Sequence, residues 1–213
     1  MAISYLTVVG FSEATLTMIL DILDSQEFHP DIDVLNNLGL EPSKEYEHPN
    51  FNIHLVDDVD LNQKLFVLGV TKPHLRRKVS EMFDLENKGY PMKLISKNSD
   101  ISKTVDLGRG VVVNTMSCIA AHTKIGDFAF INRNVSIGHH TTIGKYTTIN
   151  PGVNIAGNII IGEGCQIGMG VNIIDGIKIG NNVIIGAGSL VTKDIPDNWV
   201  AYGSPCKFVR MNG

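Results

Sequence analysis

At 213 residues the chain is long enough to bury a sizeable core and to hold two domains. Its net charge of −4 is spread without long runs, which gives no reason to expect nucleic acid or an anionic membrane as partner. Cys118, Cys165 and Cys206 stand far apart in no metal-ligand spacing and read as small packing residues of a reducing compartment. No apolar run approaches the roughly 18 residues that span a bilayer, and no basic segment leads into a signal-peptide core. The expectation is a cytoplasmic protein without membrane insertion.

In chain order, Ile3 to Val9 is a β-rich apolar run that ends at Gly10. Glu13 to Leu23 then places Leu16, Ile19, Leu20 and Leu23 on one helical face, with Ser12 in the position of an N-cap. Short strands are expected around Ile32 to Leu35 and Asn52 to Val56, and Lys64 to Val70 reads as a buried parallel strand containing Gly69. Pro73 opens a helix through about Phe83. Strand, glycine turn, helix and strand describe a small Rossmann-like α/β domain over residues 1–91, with its boundary near Gly89, Tyr90 and Pro91. The ligand of such a domain sits at the carboxyl ends of the strands, here the loops Gly10-Phe11-Ser12 and Gly69-Val70. The first loop is not GxGxxG, so an ordinary dinucleotide site is not expected.

From Ile95 to Val191 an aliphatic residue returns at every sixth position without a slip. A period of six fits neither a helix of 3.6 nor a free strand alternating by two; it fits a parallel β-helix whose three faces are each one repeat long. Ile119, Ile137, Ile155 and Ile173, eighteen apart, should stack inside the prism. Five to six coils at the inter-strand spacing give a rod of about 25 to 30 Å. The Gly and Asn residues that follow the aliphatic position suit corners needing a left-handed backbone. The unbroken register predicts no long extruded loop. This second domain covers residues 92–192, and residues 193–213 should leave the coil as a cap and tail.

A small Rossmann-like domain followed by an uninterrupted hexapeptide repeat resembles the bacterial sugar O-acyltransferase family of the sialic-acid O-acetyltransferase type. That family includes N-acetyltransferases acting on nucleotide-linked 4-amino sugars. The motifs that carry the resemblance are Asn132 to Gly144 (NRNVSIGHHTTIG), Ala156-Gly157-Asn158, Gly186-Ala187-Gly188 and Gly203-Ser204-Pro205-Cys206-Lys207. It implies a left-handed β-helix, acetyl-CoA as co-substrate without a metal, a sugar or nucleotide-sugar acceptor in surface-glycan biosynthesis, and a homotrimer whose active sites lie between subunits.

The chemistry turns on His139. A nucleophile attacking a thioester must lose a proton, and a neutral imidazole suits the transfer. Two residues after the inward Ile137, His139 should stand on a corner. The resemblance makes it the general base, with His140 where relatives often carry a carboxylate. By the same resemblance the Gly157 amide stabilises the oxyanion and Asn132 lies beside the base. Met169, Gly186, Ala187 and Lys207 line the coenzyme, as Gly157 also does. Gly10, Phe11, Ser12, Gly69, Val70 and the pair Asn36-Asn37 belong to the acceptor site. Nitrogen and oxygen acetylation both stay open. The competing readings are a zinc site built from His122, His139 and His140, and a structural trimer without catalysis. Adjacent histidines on a β-corner make poor co-ligands of one ion, since successive side chains diverge.

Overall fold

The computed structural model describes residues 5–10, 12–35, 49–56 and 58–213. The expectations placed on Phe11, Asn36 and Asn37 lie outside the described residues.

The N-terminal unit runs β1 (Tyr5–Val9), α1 (Glu13–Ser25), β2 (Asp31–Leu35), β3 (Ile53–Val56), β4 (Leu65–Leu68), α2 (Pro73–Met82) and β5 (Tyr90–Pro91). The five strands pair in parallel in the order β3-β2-β1-β4-β5. β1 and β4 sit at the centre because both are continuous apolar runs able to be covered on two faces, and Val8, Val9, Phe66 and Val67 are wholly buried. α1 turns Leu16, Ile19, Leu20 and Leu23 onto the sheet, the stripe its sequence spacing demands. Two details depart from the sequence reading. Ser12 holds the N-cap position with extended backbone angles, but its side chain makes no cap hydrogen bond; its carbonyl accepts the Thr15 and Leu16 N–H groups at 2.9 Å. Tyr90 and Pro91, read as a boundary, form a fifth strand paired with Leu65 and Phe66.

The rest of the chain is a three-faced parallel β-helix. From Leu94 to Val191 each two-residue strand begins six residues after the last, and strands eighteen residues apart pair in register. The first face comprises Leu94–Ile95, Val112–Val113, Phe130–Ile131, Thr148–Ile149, Gln166–Ile167 and Ile184–Ile185. The second comprises Asp100–Ile101, Cys118–Ile119, Ser136–Ile137, Asn154–Ile155, Asn172–Ile173 and Leu190–Val191. The third comprises Asp106–Leu107, Lys124–Ile125, Thr142–Ile143, Ile160–Ile161 and Lys178–Ile179. The second residue of each strand points inward, so the aliphatic series forms one continuous core, with Ile119, Ile137, Ile155 and Ile173 in its stack. No coil carries an extruded loop.

The left-handed backbone is not where the sequence reading put it. It recurs at every sixth residue from Gly110 to Gly188, three positions after the inward aliphatic, with φ between 53° and 75°. Asn134, Asn158, Asn182 and several glycines occupy it, but so do Met116, His122, Phe128, His140 and Tyr146. The glycine directly after the aliphatic has a steric reason instead. A Cβ on Gly138 would lie 2.5 Å from the Ala156 carbonyl carbon, and one on Gly144 equally close to the Gly162 carbonyl carbon, so the next coil leaves no room.

The α/β unit packs directly on the first face. Leu94, Val112 and Phe130 share a core with Leu6, Ile19, Leu23 and Val67. Phe128 and Tyr146, on the corner between the third and first faces, share another with Val9, Phe66, Leu68 and Val79. Beyond Val191, Trp199–Gly203 extends the first face beside Ile184 and Ile185, then folds back in an antiparallel hairpin with Cys206–Met211. Trp199 packs against the end of the coil core and lies 5.3 Å from Phe208 between ring centroids.

Candidate active site

The corner between the second and third faces carries His139. Ile137 ends its strand pointing inward, Gly138 passes under the next coil, and His139 and His140 emerge exposed. Buried threonines brace this corner from within. The Thr123 hydroxyl donates to the Gly138 carbonyl at 3.1 Å, and the Thr141 hydroxyl donates to the Ala156 carbonyl at 3.3 Å. One coil on, the His139 carbonyl accepts the Asn158 N–H at 2.9 Å.

Gly157 lies directly against the imidazole. A Cβ on Gly157 would stand 2.8 Å from His139 Cε1 and 2.9 Å from Nε2, so no other residue leaves the ring where it is. Among the described residues the Gly157 N–H meets no acceptor. On the third-to-first corner, by contrast, the Arg109 N–H is capped from the following coil by Asp127 Oδ1 at 2.8 Å and the Glu163 N–H by Asn181 Oδ1 at 2.9 Å. An imidazole and a free amide thus stand side by side, groups able respectively to take up a proton and to donate to a developing oxyanion.

The two adjacent histidines meet. His139 Nδ1 and His140 Nδ1 are 3.0 Å apart, and the His140 ring lies 4.9 Å from that of His122 one coil below. The divergence expected of an extended corner fails because His140 takes φ 57°, which swings its side chain back toward its neighbour. Among the described residues no three His, Cys, Asp or Glu side chains are grouped to hold a metal ion.

The remaining site residues fall elsewhere. Asn132, Met169, Gly186 and Ala187 occupy the corner between the first and second faces, one face-width from His139. The expectation that Asn132 lies beside the base is not met within one chain; its Oδ1 accepts the Arg133 N–H at 2.9 Å, folding the amide onto its own turn. Met169 and Ala187, eighteen apart, are exposed in adjacent coils. Gly186 is needed by the tail, because a Cβ there would sit 2.7 Å from Tyr202 Cβ. Lys207 is exposed on the terminal hairpin opposite Tyr202.

In the α/β unit, Gly10 and Gly69 come together at the ends of β1 and β4, where the strand order reverses. A Cβ on Gly69 would collide with the Gly10 carbonyl oxygen, and Gly10 has φ 86°. Ser12 borders the same place at the start of α1. Val70 departs from its expected role: its side chain is buried in the core and its carbonyl accepts from Arg76 at 3.1 Å. Only its backbone is left to border the switch point.

Sequence reasoning missed Arg76. Burial pulls its guanidinium pKa down to about 9, yet it stays charged at neutral pH within a cage of acceptors. It donates to the carbonyls of Val70 and Thr71 on its own domain. It also donates to those of Phe128 (2.8 Å), Tyr146 (2.7 Å) and Thr147 (3.2 Å), and to the Thr148 hydroxyl (3.0 Å), on the β-helix. The pattern of α2, an amphipathic helix rich in basic residues, gives no local sign that one of them is buried.

These features define a hexapeptide-repeat β-helix joined to a Rossmann-like unit, the fold of the hexapeptide-repeat acetyltransferases. Residues 122–157 and 158–193 each match the bacterial transferase hexapeptide (six repeats) family model. No curated protein matches the sequence. Among solved structures, the acetyltransferase domain of PglB from Neisseria gonorrhoeae is similar with a TM-score of 0.85 at 21% identity, over 97% of this chain and 100% of that one. PerB from Caulobacter crescentus, in complex with CoA and GDP-perosamine, is similar with a TM-score of 0.81 at 23% identity, over 97% of both chains. WeeI from Acinetobacter baumannii has a TM-score of 0.77 at 20% identity, over 96% of this chain and 100% of that one. At these identities the likeness establishes the fold. No helix among the described residues is long and apolar enough to cross a membrane.

Proposed function

We propose that the protein is an acetyl-CoA-dependent acetyltransferase whose acceptor is the amino group of a nucleotide-linked amino sugar, with His139 as general base. The observation that carries this reading is the juxtaposition of His139 Nε2 with the unpaired Gly157 amide on an exposed corner. Its whole-chain likeness to a domain solved with acetyl coenzyme A, and to a structure holding CoA and GDP-perosamine, supports the donor and acceptor classes.

The amine attacks the thioester carbonyl while its proton passes to His139 Nε2. The Gly157 N–H donates to the oxyanion of the tetrahedral intermediate. Collapse expels the CoA thiolate, which takes the proton back from His139, leaving the amide and free CoA. The two separated corners support a trimer in this scheme. The base corner of one subunit faces the corner of its neighbour that bears Asn132, Met169, Gly186 and Ala187, with Lys207 at the coenzyme's nucleotide end. The nucleotide sugar enters from Gly10, Ser12 and Gly69.

The test is release of CoA thiol from acetyl-CoA over a panel of UDP-, GDP- and dTDP-linked amino sugars and their hydroxyl counterparts. Turnover with one amino sugar, lost by about 10²–10⁴-fold in His139→Ala, is the expected result. Turnover with hydroxyl sugars alone replaces N-acetylation by O-acetylation. Absence of both turnover and acetyl-CoA binding sinks the proposal.

A further inference from the structure

We propose that His140 is the positioning residue of the base: its neutral Nδ1 accepts the His139 Nδ1–H, holding His139 in the one tautomer with a free Nε2. The inference rests on the reading of His139 as base. A nitrogen-to-nitrogen distance of 3.0 Å requires one proton between two rings. If His140 donates it, the His139 proton sits on Nε2 and the ring cannot act as base toward the acceptor. If His139 donates it, Nε2 is open on the side of Gly157, where the reaction would occur.

Three features of the fold hold the two rings in this contact, and only the second arrangement leaves a base facing Gly157. The left-handed backbone at His140 aims its Nδ1 back at His139, and a residue with an extended backbone at that position would not make the contact. The His122 ring, repeated in the same left-handed slot one coil below, lies tilted against that of His140, 4.9 Å away between centroids. His122 is itself anchored through its N–H to the Thr104 hydroxyl at 3.0 Å. Once His139 accepts the acceptor's proton at Nε2, its Nδ1–H still points at a neutral acceptor, which steadies the imidazolium until the thiolate removes that proton. No atom is gained or lost in the pair over the cycle.

A neutral partner differs from a carboxylate in one respect. A proton taken up by His140 at Nδ1 removes the acceptor and places a like charge beside the base, so the pair is active only when it carries no extra proton. The titratable groups sharing this corner are His122, Lys103, Asp175, Lys193 and Asp194. The adjoining strands present Cys118 outward on the second face, and Asp106, Lys124 and Lys178 on the third.

The experiment compares wild type with His140→Gly and His140→Asp, both of which tolerate the left-handed slot. It reads the pH dependence of kcat/KM, the KM for acetyl-CoA, and the ring tautomers by nitrogen NMR. The expected result is a kcat about 10–100-fold lower in His140→Gly with little change in KM. Its acid limb moves to lower pH and the His139 Nδ1–H tautomer is lost. In His140→Asp most of the kcat returns and the acid limb moves above that of wild type, since a carboxylate stabilises the imidazolium more. The proposal falls if tautomer and acid limb are the same in His140→Gly as in wild type, or if Asp fails to restore what Gly removes. Should His139→Ala abolish turnover while the His140 variants behave as wild type, the base stands and the positioning role is rejected. Should wild type show no turnover at all, the acetyltransferase reading fails, and the tautomers alone decide the pair: a His139 Nδ1–H that persists in His140→Gly rejects it.

Discussion

Two corners of one prism place aromatic rings in the same left-handed slot, eighteen residues apart, and use them oppositely. On the third-to-first corner Phe128 and Tyr146 stack at 5.5 Å, are 1% and 2% exposed, and lie under the α/β unit. On the second-to-third corner the His122 and His140 rings meet at a tilt, 4.9 Å apart, in the open. A left-handed backbone costs a residue with a Cβ about 1–2 kcal/mol. Burial of two large rings and the hydrogen bonds of the Tyr146 hydroxyl, which donates to Glu86 and accepts from Ser80, both at 2.9 Å, offset that cost at the first corner. Nothing comparable offsets it at the second.

The comparison breaks most readily at Arg76. Arg76→Met strips a buried donor from six acceptors and should lower unfolding free energy by about 3–5 kcal/mol, measured by urea titration; an effect below about 1 kcal/mol would mean that apolar contacts alone hold the two units together. Phe128→Gly and His122→Gly apply one substitution to the same slot at the two corners. The first should cost about 2–4 kcal/mol, while the second should be neutral or stabilising by up to about 1 kcal/mol. Equal losses would erase the distinction between them.

Alkaline pH probes the interior from another side. Burial raises the Cys165 thiol to about 11 and the Tyr146 phenol to about 12, so the native state keeps protons that the unfolded chain releases above their usual values of 9.0 and 10.0. Stability is therefore intact below pH 9 and falls as the pH climbs through 11, by about 3 kcal/mol from the thiol. Cys165→Ala should flatten that slope whatever it does to absolute stability, and an unchanged slope refutes the assignment. The smallest effect is sought at Gly157→Ala. It should push the His139 ring aside and reduce kcat by about 10-fold while leaving the melting temperature nearly unmoved.

The repeat was legible because steric demand recurs: every sixth residue must fill the core, and the glycine after it must yield to the coil above. What stayed hidden was non-local. Arg76 reads as a surface residue in α2, and only its contacts with Phe128 and Tyr146, far away in sequence, reveal it as buried. The fifth strand escaped because Tyr90 and Pro91 show no alternation; their pairing is dictated by β4. His139, His140 and Gly157 were found as candidates, yet the His139–His140 contact was not, because it depends on a dihedral angle that the string His-His does not declare. The eighteen-residue spacings His122 to His140 and Phe128 to Tyr146 were present in the sequence and would have exposed both ring columns.

The coil that carries His139 leaves the third-to-first corner at Phe128 and returns to it at Tyr146, and the carbonyls of both residues are held by one guanidinium. It is a belt with its buckle in the other domain. Coils beyond it could be added or removed in units of eighteen residues, lengthening or shortening the rod, without shifting His139 relative to the ends of β1 and β4. The span from the Gly10 and Gly69 loops to His139 is fixed at that buckle, which leaves rod length free to vary.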